Sequence, residues 1–153
     1  MDPIIFTIDA IPRGQGRARV SSFGGFARAY KAAEDRNHET TLAALAAPHR
    51  PSEPLDCPLA VEIVAVMPRN KHLSRVSKKT GEPLADPARL PHTSKPDADN
   101  IAKAVLDALK SWWRDDAQVC RVVCEKVVAA FDEQPHYEIR VSEFDIGTPE
   151  VER

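Results

Sequence analysis

An α+β fold in a single small domain, with a central sheet and two main helices, is what the amino-acid sequence predicts. The length of 153 residues and the 42% hydrophobic content suffice for one compact domain and are too small for two ordinary ones. Strand-like and helix-like runs are interspersed along the chain, with at least one antiparallel strand pair. No internal repeat is visible. We therefore treat residues 1–153 as one domain.

The first third of the chain predicts a strand, a hairpin and a helix. "IIFTIDAI" (4–11) is an apolar run typical of a strand, and "PRGQG" ends it. "RARVSS" and "FARAY" flank Phe23-Gly24-Gly25, where the glycines can supply the positive φ of a hairpin turn. Residues 31–47 are rich in alanine and charge and contain no Gly or Pro, which favours a helix that "PHRPSEP" ends.

The rest of the chain predicts three strands and a second helix. "LAVEIVAVM" (59–67) is rich in valine and isoleucine, as strands are. Residues 68–94 form a polar, basic stretch with several prolines, and loops of this length are usually functional or disordered. After the second helix, "QVCRVVCEKVVAAF" (118–131) and "HYEIRVSEF" (136–144) predict two strands joined by the turn "DEQP". We expect residues 145–153 to form a flexible tail.

Composition argues against a secreted or membrane protein. The three cysteines, Cys57, Cys120 and Cys124, leave an odd thiol under any pairing, and the N-terminus lacks the basic and apolar regions of a signal peptide. No apolar run approaches the roughly 18 residues that cross a bilayer. We therefore expect a cytoplasmic protein with reduced thiols. The net charge of -2 speaks against nucleic acid as a partner, but acids gathered at a metal site can cancel basic residues spread over a binding surface.

The segment "KPDADNIAKAVLDALKSWWRDDAQV" (95–119) brackets one predicted helix with two pairs of carboxylates. Projected at about 100° per residue, its apolar side chains fall within one arc and its polar ones on the opposite side. The apolar arc contains Ile101, Val105, Ala108, Leu109 and Trp112, and the polar side contains Asp99, Asn100, Lys103 and Asp107. One face of this helix is thus predicted to be core and the other to carry charged groups.

The carboxylates have two interpretations. Asp97 and Asp99 lie near the helix N-terminus, where acids commonly cap the helix and complement its dipole, and Asp115 and Asp116 suit a solvated turn. Alternatively, a strand that enters the sheet beside the N-terminal end of this helix would bring Asp116 towards the first pair. Carboxylates gathered in one place repel each other unless a cation lies between them.

Oxygen-only ligands select a hard divalent ion, and Mg²⁺ with several waters retained fits them best. A calcium EF-hand does not fit, because Ile101 and Ala102 follow "DADN" where that loop needs a ligand and a glycine. Zinc does not fit well either, because the histidines show no ligand spacing, and Cys120 and Cys124 are predicted as core residues on one strand face.

The segment "HTSKPDADNIAKAVLDALKSWWRDDAQV" (92–119) resembles the signature of the RusA family of crossover-junction endodeoxyribonucleases, small Holliday junction resolvases common in phages and prophages. "IPRGQGRARV" with "ARAYKAAED", and the basic "SRVSKKTG", are similar to other segments of that family. The linker "KSWWR" differs from the glycine-containing turn common there. The resemblance implies a DNA recombination and repair nuclease in the cytoplasm of a bacterial or phage-infected cell, acting at the nucleoid.

The resemblance also implies roles for single residues. The essential aspartates of the family, which hold Mg²⁺ with Mn²⁺ as a substitute, fall on Asp97, Asp99 and Asp116, and its helical lysine falls on Lys103. Lys103 would stabilise negative charge in the transition state, although an ordinary ion pair with Asp99 or Asp107 is the alternative. Three further side chains are expected to orient the metal ligands: Asn100, Asp107 and Asp115.

Two basic stretches are candidates for binding the DNA backbone, which they would position without reading bases. One is near the hairpin (Arg13, Arg17, Arg19, Arg28) and the other is in the long loop and just beyond it (Arg69, Lys71, Arg75, Lys78, Lys79, Lys95). Because a four-way junction is two-fold symmetric, a C2 homodimer with matched sites is expected. Two alternatives stay open: a nuclease with broader activity on flaps and forks, and a non-catalytic DNA-binding protein whose acids merely cap a helix and form turns.

Overall fold

The computed structural model describes residues 1–16 and 18–147. Arg17 and residues 148–153, which include most of the predicted tail, lie outside the described residues. The described strands and helices are β1 (Ile4–Ile8), β2 (Arg19–Phe23), β3 (Phe26–Tyr30), α1 (Ala33–Ala46), β4 (Leu59–Met67), β5 (Leu90–Pro91), α2 (Ala98–Leu109), β6 (Val119–Val128) and β7 (His136–Glu143). Short 3₁₀ turns occupy Ala47–His49, Lys110–Trp112 and Asp116–Gln118.

The central sheet has five strands in the order β1-β7-β4-β6-β5. β4 and β6 are parallel, whereas the other neighbours are antiparallel. The turn "DEQP" joins β6 to β7 along the chain, but β4 lies between them in the sheet. β2 and β3 form the predicted separate hairpin, with Gly24 and Gly25 at φ of 70° and 82°. These features confirm the predicted α+β fold with a mixed central sheet and two helices.

Both helices pack on one face of this sheet. Alternate residues of β4 face them, from Leu59 to Met67, whereas Glu62 and Val64 on the opposite face stay partly exposed. The predicted apolar arc of α2 is buried in the same core, with Ile101 and Leu109 fully inaccessible to solvent. Burial of each such side chain contributes roughly 1.5–3 kcal/mol. The core therefore fixes how α2 is rotated and leaves its polar side facing outwards.

The start of β6 departs from the prediction. Its pairing with β4 slips between Leu59↔Val119 and Ala60↔Arg121, which leaves Cys120 as the extra residue of a bulge. Cys120 is therefore exposed while Cys124 is partly buried, so the prediction of one common buried face for them is wrong. The strand also begins at Val119, because a 3₁₀ turn precedes it.

Hydrogen bonds hold much of the long segment 68–94 against the sheet. Arg69 is central: its guanidinium donates to the carbonyls of Leu73 (3.2 Å), Ala88 (3.3 Å) and Ala129 (3.1 Å), and also to that of Asp86. Further along, an isolated bridge pairs Val76 with Pro83, and Leu90–Pro91 pairs with β6 as its edge strand. The basic residues between Val76 and Pro83 therefore lie on a short exposed turn.

None of the helices within residues 1–16 and 18–147 combines the length and the apolar composition that a bilayer crossing requires.

Candidate active site

A cavity of about 490 Å³ lies where the polar side of α2 meets the start of β6. Asp99, Lys103 and Asp107 line it from α2, and Asp116 lines it from the 3₁₀ turn that precedes β6. The rest of the lining is apolar: Ala98, Ala102, Leu106, Trp113, Val119, Val122 and Cys124. The cavity thus collects two predicted metal ligands and the predicted helical lysine beside an apolar wall.

Asp97 occupies the N-cap position of α2 in an extended conformation, with φ of -72° and ψ of 148°. Its carbonyl accepts the first helical hydrogen bond, from the N–H of Ile101 at 3.2 Å, but its side chain makes no capping hydrogen bond. The side-chain capping interpretation of Asp97 is therefore wrong. Asp97 is also absent from the lining of the cavity, which begins at Ala98. Asp99 and Asp116 thus line the same cavity, whereas Asp97 lies outside its lining at the helix N-terminus.

A capping box holds the turn that carries Asp116. Asp115 Oδ1 accepts from the N–H of Ala117 at 2.7 Å, and Gln118 Oε1 accepts from the N–H of Asp115 at 2.8 Å. The side-chain amide of Gln118 also donates to the carbonyls of Leu55 and Cys57, each at 3.1 Å. Asp115 thus stabilises the turn and contacts none of the predicted metal ligands among the described side chains. The turn, and not a strand face, sets the position of Asp116.

Lys103 forms no ion pair with Asp99, Asp107 or any other carboxylate in the described part of the chain. Asp107 instead binds Lys31, whose Nζ lies 2.9 Å from Asp107 Oδ2 and also donates to Glu39. Burial lowers the pKa of Lys31, but the hydrogen bonds to Glu39 and Asp107 outweigh it and leave that pKa raised. The ion-pair interpretation of Lys103 is therefore not realised, and its ammonium group is available to a ligand in the cavity.

The remaining two residues expected to orient the ligands do not do so through described contacts. The backbone carbonyl of Asn100 accepts from the N–H of Gln15 at 3.0 Å, and the Asp107 side chain binds Lys31 as given above. Neither side chain hydrogen-bonds to a predicted metal ligand within residues 1–16 and 18–147.

Lys126 was not predicted from the sequence as a site residue, yet it connects β6 to the segment that precedes α2. Its Nζ donates to the carbonyls of Ser94 at 2.8 Å and Pro96 at 2.7 Å, so β6 holds the segment immediately before Asp97. A lysine near the end of a strand is ordinarily a solvated residue. Lys126 lies opposite Ala65 in the sheet, on the side that the helices cover. This register distinguishes it from a solvated lysine, but the register cannot be read from the sequence.

The loop after β1 packs against the start of α2. A Cβ built at Gly14 would lie 2.7 Å from Pro96 Cβ, so only glycine permits this close approach. Arg13 anchors the loop: its backbone N–H donates to the Tyr137 hydroxyl at 3.0 Å, and its guanidinium pairs with Glu34 and the buried Asp35. DNA contact by Arg13 remains a prediction, but its guanidinium already serves protein partners.

The other predicted DNA-binding residues differ in how free they are. Arg69 is occupied by four backbone carbonyls, and Arg17 lies outside the described residues. The exposed residues without an ion pair in the described part of the chain are Arg19, Arg28, Lys71, Arg75, Lys78, Lys79 and Lys95. These side chains are available to DNA phosphates.

The carboxylates of Asp97, Asp99 and Asp116 fit a hydrated Mg²⁺ by their chemistry. They are exposed carboxylates, and no Lys, Arg or His of the described residues pairs with them. They are not drawn into a tight cage, but Mg²⁺ usually keeps several waters and needs only one or two protein carboxylates.

A different trio is the only described one whose ligand atoms all lie within 4.8 Å of one another: Glu133, His136 and Glu138. The guanidinium of Arg89 already occupies it, with Nε 3.0 Å from Glu133 Oε1 and Nη2 donating to Glu138. These hydrogen bonds lower the pKa of both glutamates and raise that of Arg89. The trio is thus part of an ion-pair cluster in which Arg89 already pairs with both glutamates.

Comparisons with known proteins identify the family of this chain. The family model described as endodeoxyribonuclease RusA matches residues 9–142, a range that contains α2, the 3₁₀ turn and the whole lining of the cavity. The uncharacterized protein YqaN of Bacillus subtilis strain 168 is 33% identical over 144 residues, which are 94% of this chain and 98% of that protein. The family match covers most of the chain, and the relative matches over nearly its full length. This chain belongs to the RusA endodeoxyribonuclease family.

Proposed function

We propose that this protein is a Mg²⁺-dependent endonuclease that resolves Holliday junctions by paired cleavage, as a homodimer. One observation carries the proposal: Asp99 and Asp116, which come from separate elements, line one cavity with Lys103, and no described cation neutralises either carboxylate. An acid that merely caps a helix or forms a turn does not need this juxtaposition. Membership of an endodeoxyribonuclease family supports phosphodiester hydrolysis as the reaction.

The chemistry follows from these side chains. When bound, a divalent cation would activate a water near neutral pH and neutralise charge on the phosphate. Asp99 and Asp116 would hold this cation, with Asp97 at the helix N-terminus as a third carboxylate. Lys103 lies one helical turn beyond Asp99 and places a positive charge where negative charge develops on the phosphate oxygens. The apolar wall of the cavity limits the number of waters that compete for the phosphate.

A cleavage assay on matched substrates tests this function. Four-way, flap and linear duplex substrates of shared sequence are incubated with and without Mg²⁺. We expect Mg²⁺-dependent cleavage that prefers the four-way junction and cuts two opposed strands. Equal cleavage of flaps would instead indicate a broader branched-DNA nuclease, and binding without cleavage at any Mg²⁺ concentration would indicate a non-catalytic DNA-binding protein.

Lys103→Ala should lower the rate of junction cleavage by about 100-fold, because it removes a positive group aimed at the developing charge. The side chain is exposed and unpaired among the described residues, so the midpoint of thermal denaturation should hardly change. Single-turnover cleavage at saturating Mg²⁺ measures the effect.

The matched control is Lys110→Ala. It removes an exposed lysine that follows the same helix and pairs with Glu39 at 3.3 Å. It should cleave at close to the wild-type rate. A large loss of thermal stability in Lys103→Ala, with a rate like that of the control, would assign Lys103 a structural role.

Lys78 and Lys79 should contribute to DNA binding through phosphates alone. Both are exposed on the turn between Val76 and Pro83, which is closed by the hydrogen bond from Ser77 N–H to the Glu82 carbonyl at 2.8 Å. Replacing both by alanine should weaken binding to every DNA substrate and reduce the slope of log K against log salt by about 1 per lysine. Fluorescence anisotropy across a salt series measures this slope.

Replacement of Arg50 and Lys110 by alanine removes the same charge elsewhere on the protein. An equal loss of salt dependence in this control would show that overall charge matters and that the turn has no special role in DNA binding.

A further inference from the structure

The hydrogen bond between Trp113 and Asp116 joins a buried ring to an exposed carboxylate. The indole Nε1 donates to Asp116 Oδ1 at 2.9 Å, and Trp113 is only 3% exposed. Both residues line the cavity. No other described group hydrogen-bonds to the Asp116 side chain, so one carboxylate oxygen is held by the protein and the second is open to a ligand.

Both ends of this hydrogen bond are held in place. Leu55 flanks the Trp113 backbone on both sides: its N–H donates to the Trp112 carbonyl at 2.8 Å, and its carbonyl accepts from the N–H of Arg114 at 3.3 Å. The ring itself is part of the hydrophobic core. At the other end, the capping box fixes the backbone of the turn that carries Asp116. The indole is therefore a rigid donor, and the carboxylate has little freedom to rotate away from it.

We infer that Trp113 is a positioning residue, which fixes the Asp116 carboxylate for binding of the divalent cation. The inference rests on the proposed function and adds to it a residue that touches neither the metal nor DNA. Groups that orient metal ligands typically change metal affinity or activity by about 10–100-fold when they are removed. The alternative is that Asp116 merely satisfies a buried indole N–H, which needs a partner for stability. The two roles differ in what happens to metal affinity.

The chain contains a matched pair of tryptophans for this test. Trp113→Phe keeps an apolar ring and removes the N–H donor. Trp112→Phe makes the same change one residue earlier, where the ring is 2% exposed and packs against Phe6 in a tilted arrangement with centroids 5.1 Å apart. Thermal denaturation should show similar losses of stability, since both variants shrink a buried ring. Only Trp113→Phe should raise the Kd for Mg²⁺, by about 10–100-fold in calorimetry, and the Mg²⁺ concentration for half-maximal cleavage with it.

A second readout needs no folded Trp113 variant. The sequence has two tryptophans, so the wild-type protein gives two indole N–H signals in a ¹⁵N NMR spectrum, and Trp112→Phe assigns them. Titration with Mg²⁺ should shift the Trp113 signal and leave the Trp112 signal in place. Asp116→Asn should remove this response.

The outcomes separate the inference from the proposed function. Equal Mg²⁺ affinity in Trp113→Phe and Trp112→Phe, or a Trp113 signal that ignores Mg²⁺, overturns the positioning role even if the wild type resolves junctions. A Trp113 signal that responds to Mg²⁺ in a protein that cleaves no DNA supports the positioning role and refutes the proposed function.

Discussion

Asp99→Asn should abolish Mg²⁺-dependent cleavage of a four-way junction while the variant binds the junction as tightly as the wild type or more tightly. The change keeps the size of the side chain and removes its charge. Loss of a ligand charge weakens cation binding but also lessens repulsion of DNA phosphates. We expect the cleavage rate to fall by at least about 1,000-fold, which corresponds to about 4 kcal/mol of transition-state stabilisation.

The structure makes this expectation specific to Asp99. Its carboxylate lines the cavity and pairs with no described cation, so the mutation removes no ion pair within the described residues. Asp56→Asn is the matched control, because Asp56 is exposed and forms a surface pair with Arg114 at 2.9 Å. Such pairs contribute about 0–1 kcal/mol to stability. The control should cleave normally, and comparable turnover in Asp99→Asn would remove Asp99 from the proposed metal site.

Asp97→Asn should also abolish cleavage without weakening junction binding, for the same electrostatic reason. Asp97 stands at the N-cap of α2 without a side-chain capping hydrogen bond, so the change removes no such bond from the helix. Because Asp97 is not part of the cavity lining, this variant tests whether the proposed metal site extends beyond the cavity. Single-turnover cleavage at increasing Mg²⁺ separates a lost ligand, which excess Mg²⁺ partly restores, from a residue without a role.

Asp116→Asn should remove Mg²⁺-dependent cleavage, whereas Asp115→Asn should retain most of it. In Asp116→Asn the amide oxygen can still accept the hydrogen bond from Trp113, so the turn is preserved and only the ligand charge is lost. Asp115 caps the turn through the N–H of Ala117, and asparagine caps about as well as aspartate. We expect a loss of about 1,000-fold for the first variant and less than about 10-fold for the second.

These two neighbouring changes remove the same charge one residue apart, so each is the control of the other. Cleavage is measured for both at several Mg²⁺ concentrations. If Asp115→Asn is inactive and Asp116→Asn is active, the metal ligand is Asp115. The cavity that Asp116 lines would then not be the metal site.

Asp115 and Asp116 differ in their hydrogen bonds: Asp115 caps the turn, whereas Asp116 accepts from Trp113. Alternation of side chains along a strand does not distinguish Asp116 from Asp115, because a 3₁₀ turn and a bulge interrupt the segment from Asp116 to Cys124. The structure instead places Asp116 in the cavity through the capping box and the hydrogen bond from Trp113. Family resemblance selected the same residue independently of strand register.

Local patterns in the sequence determined the elements of this protein. Helical periodicity predicted the buried and polar sides of α2, composition predicted β4 at 59–67, and paired glycines predicted the β2–β3 hairpin. The acidic segment 95–119 contains Asp99, Lys103 and Asp116, which line the cavity. Each of these signals depends on side chains within a few positions of one another, where backbone geometry alone sets the spacing.

Tertiary structure decided how these elements meet, because those contacts join residues far apart in the chain. β4 separates β6 from β7, Lys126 binds the carbonyl of Pro96 across 30 positions, and Gln118 reaches Leu55 across 63. Arg69 is likewise occupied by carbonyls that no local pattern brings near it. Such contacts form only when buried apolar surface and satisfied backbone groups select one packing of the whole chain, so no short stretch of sequence encodes them.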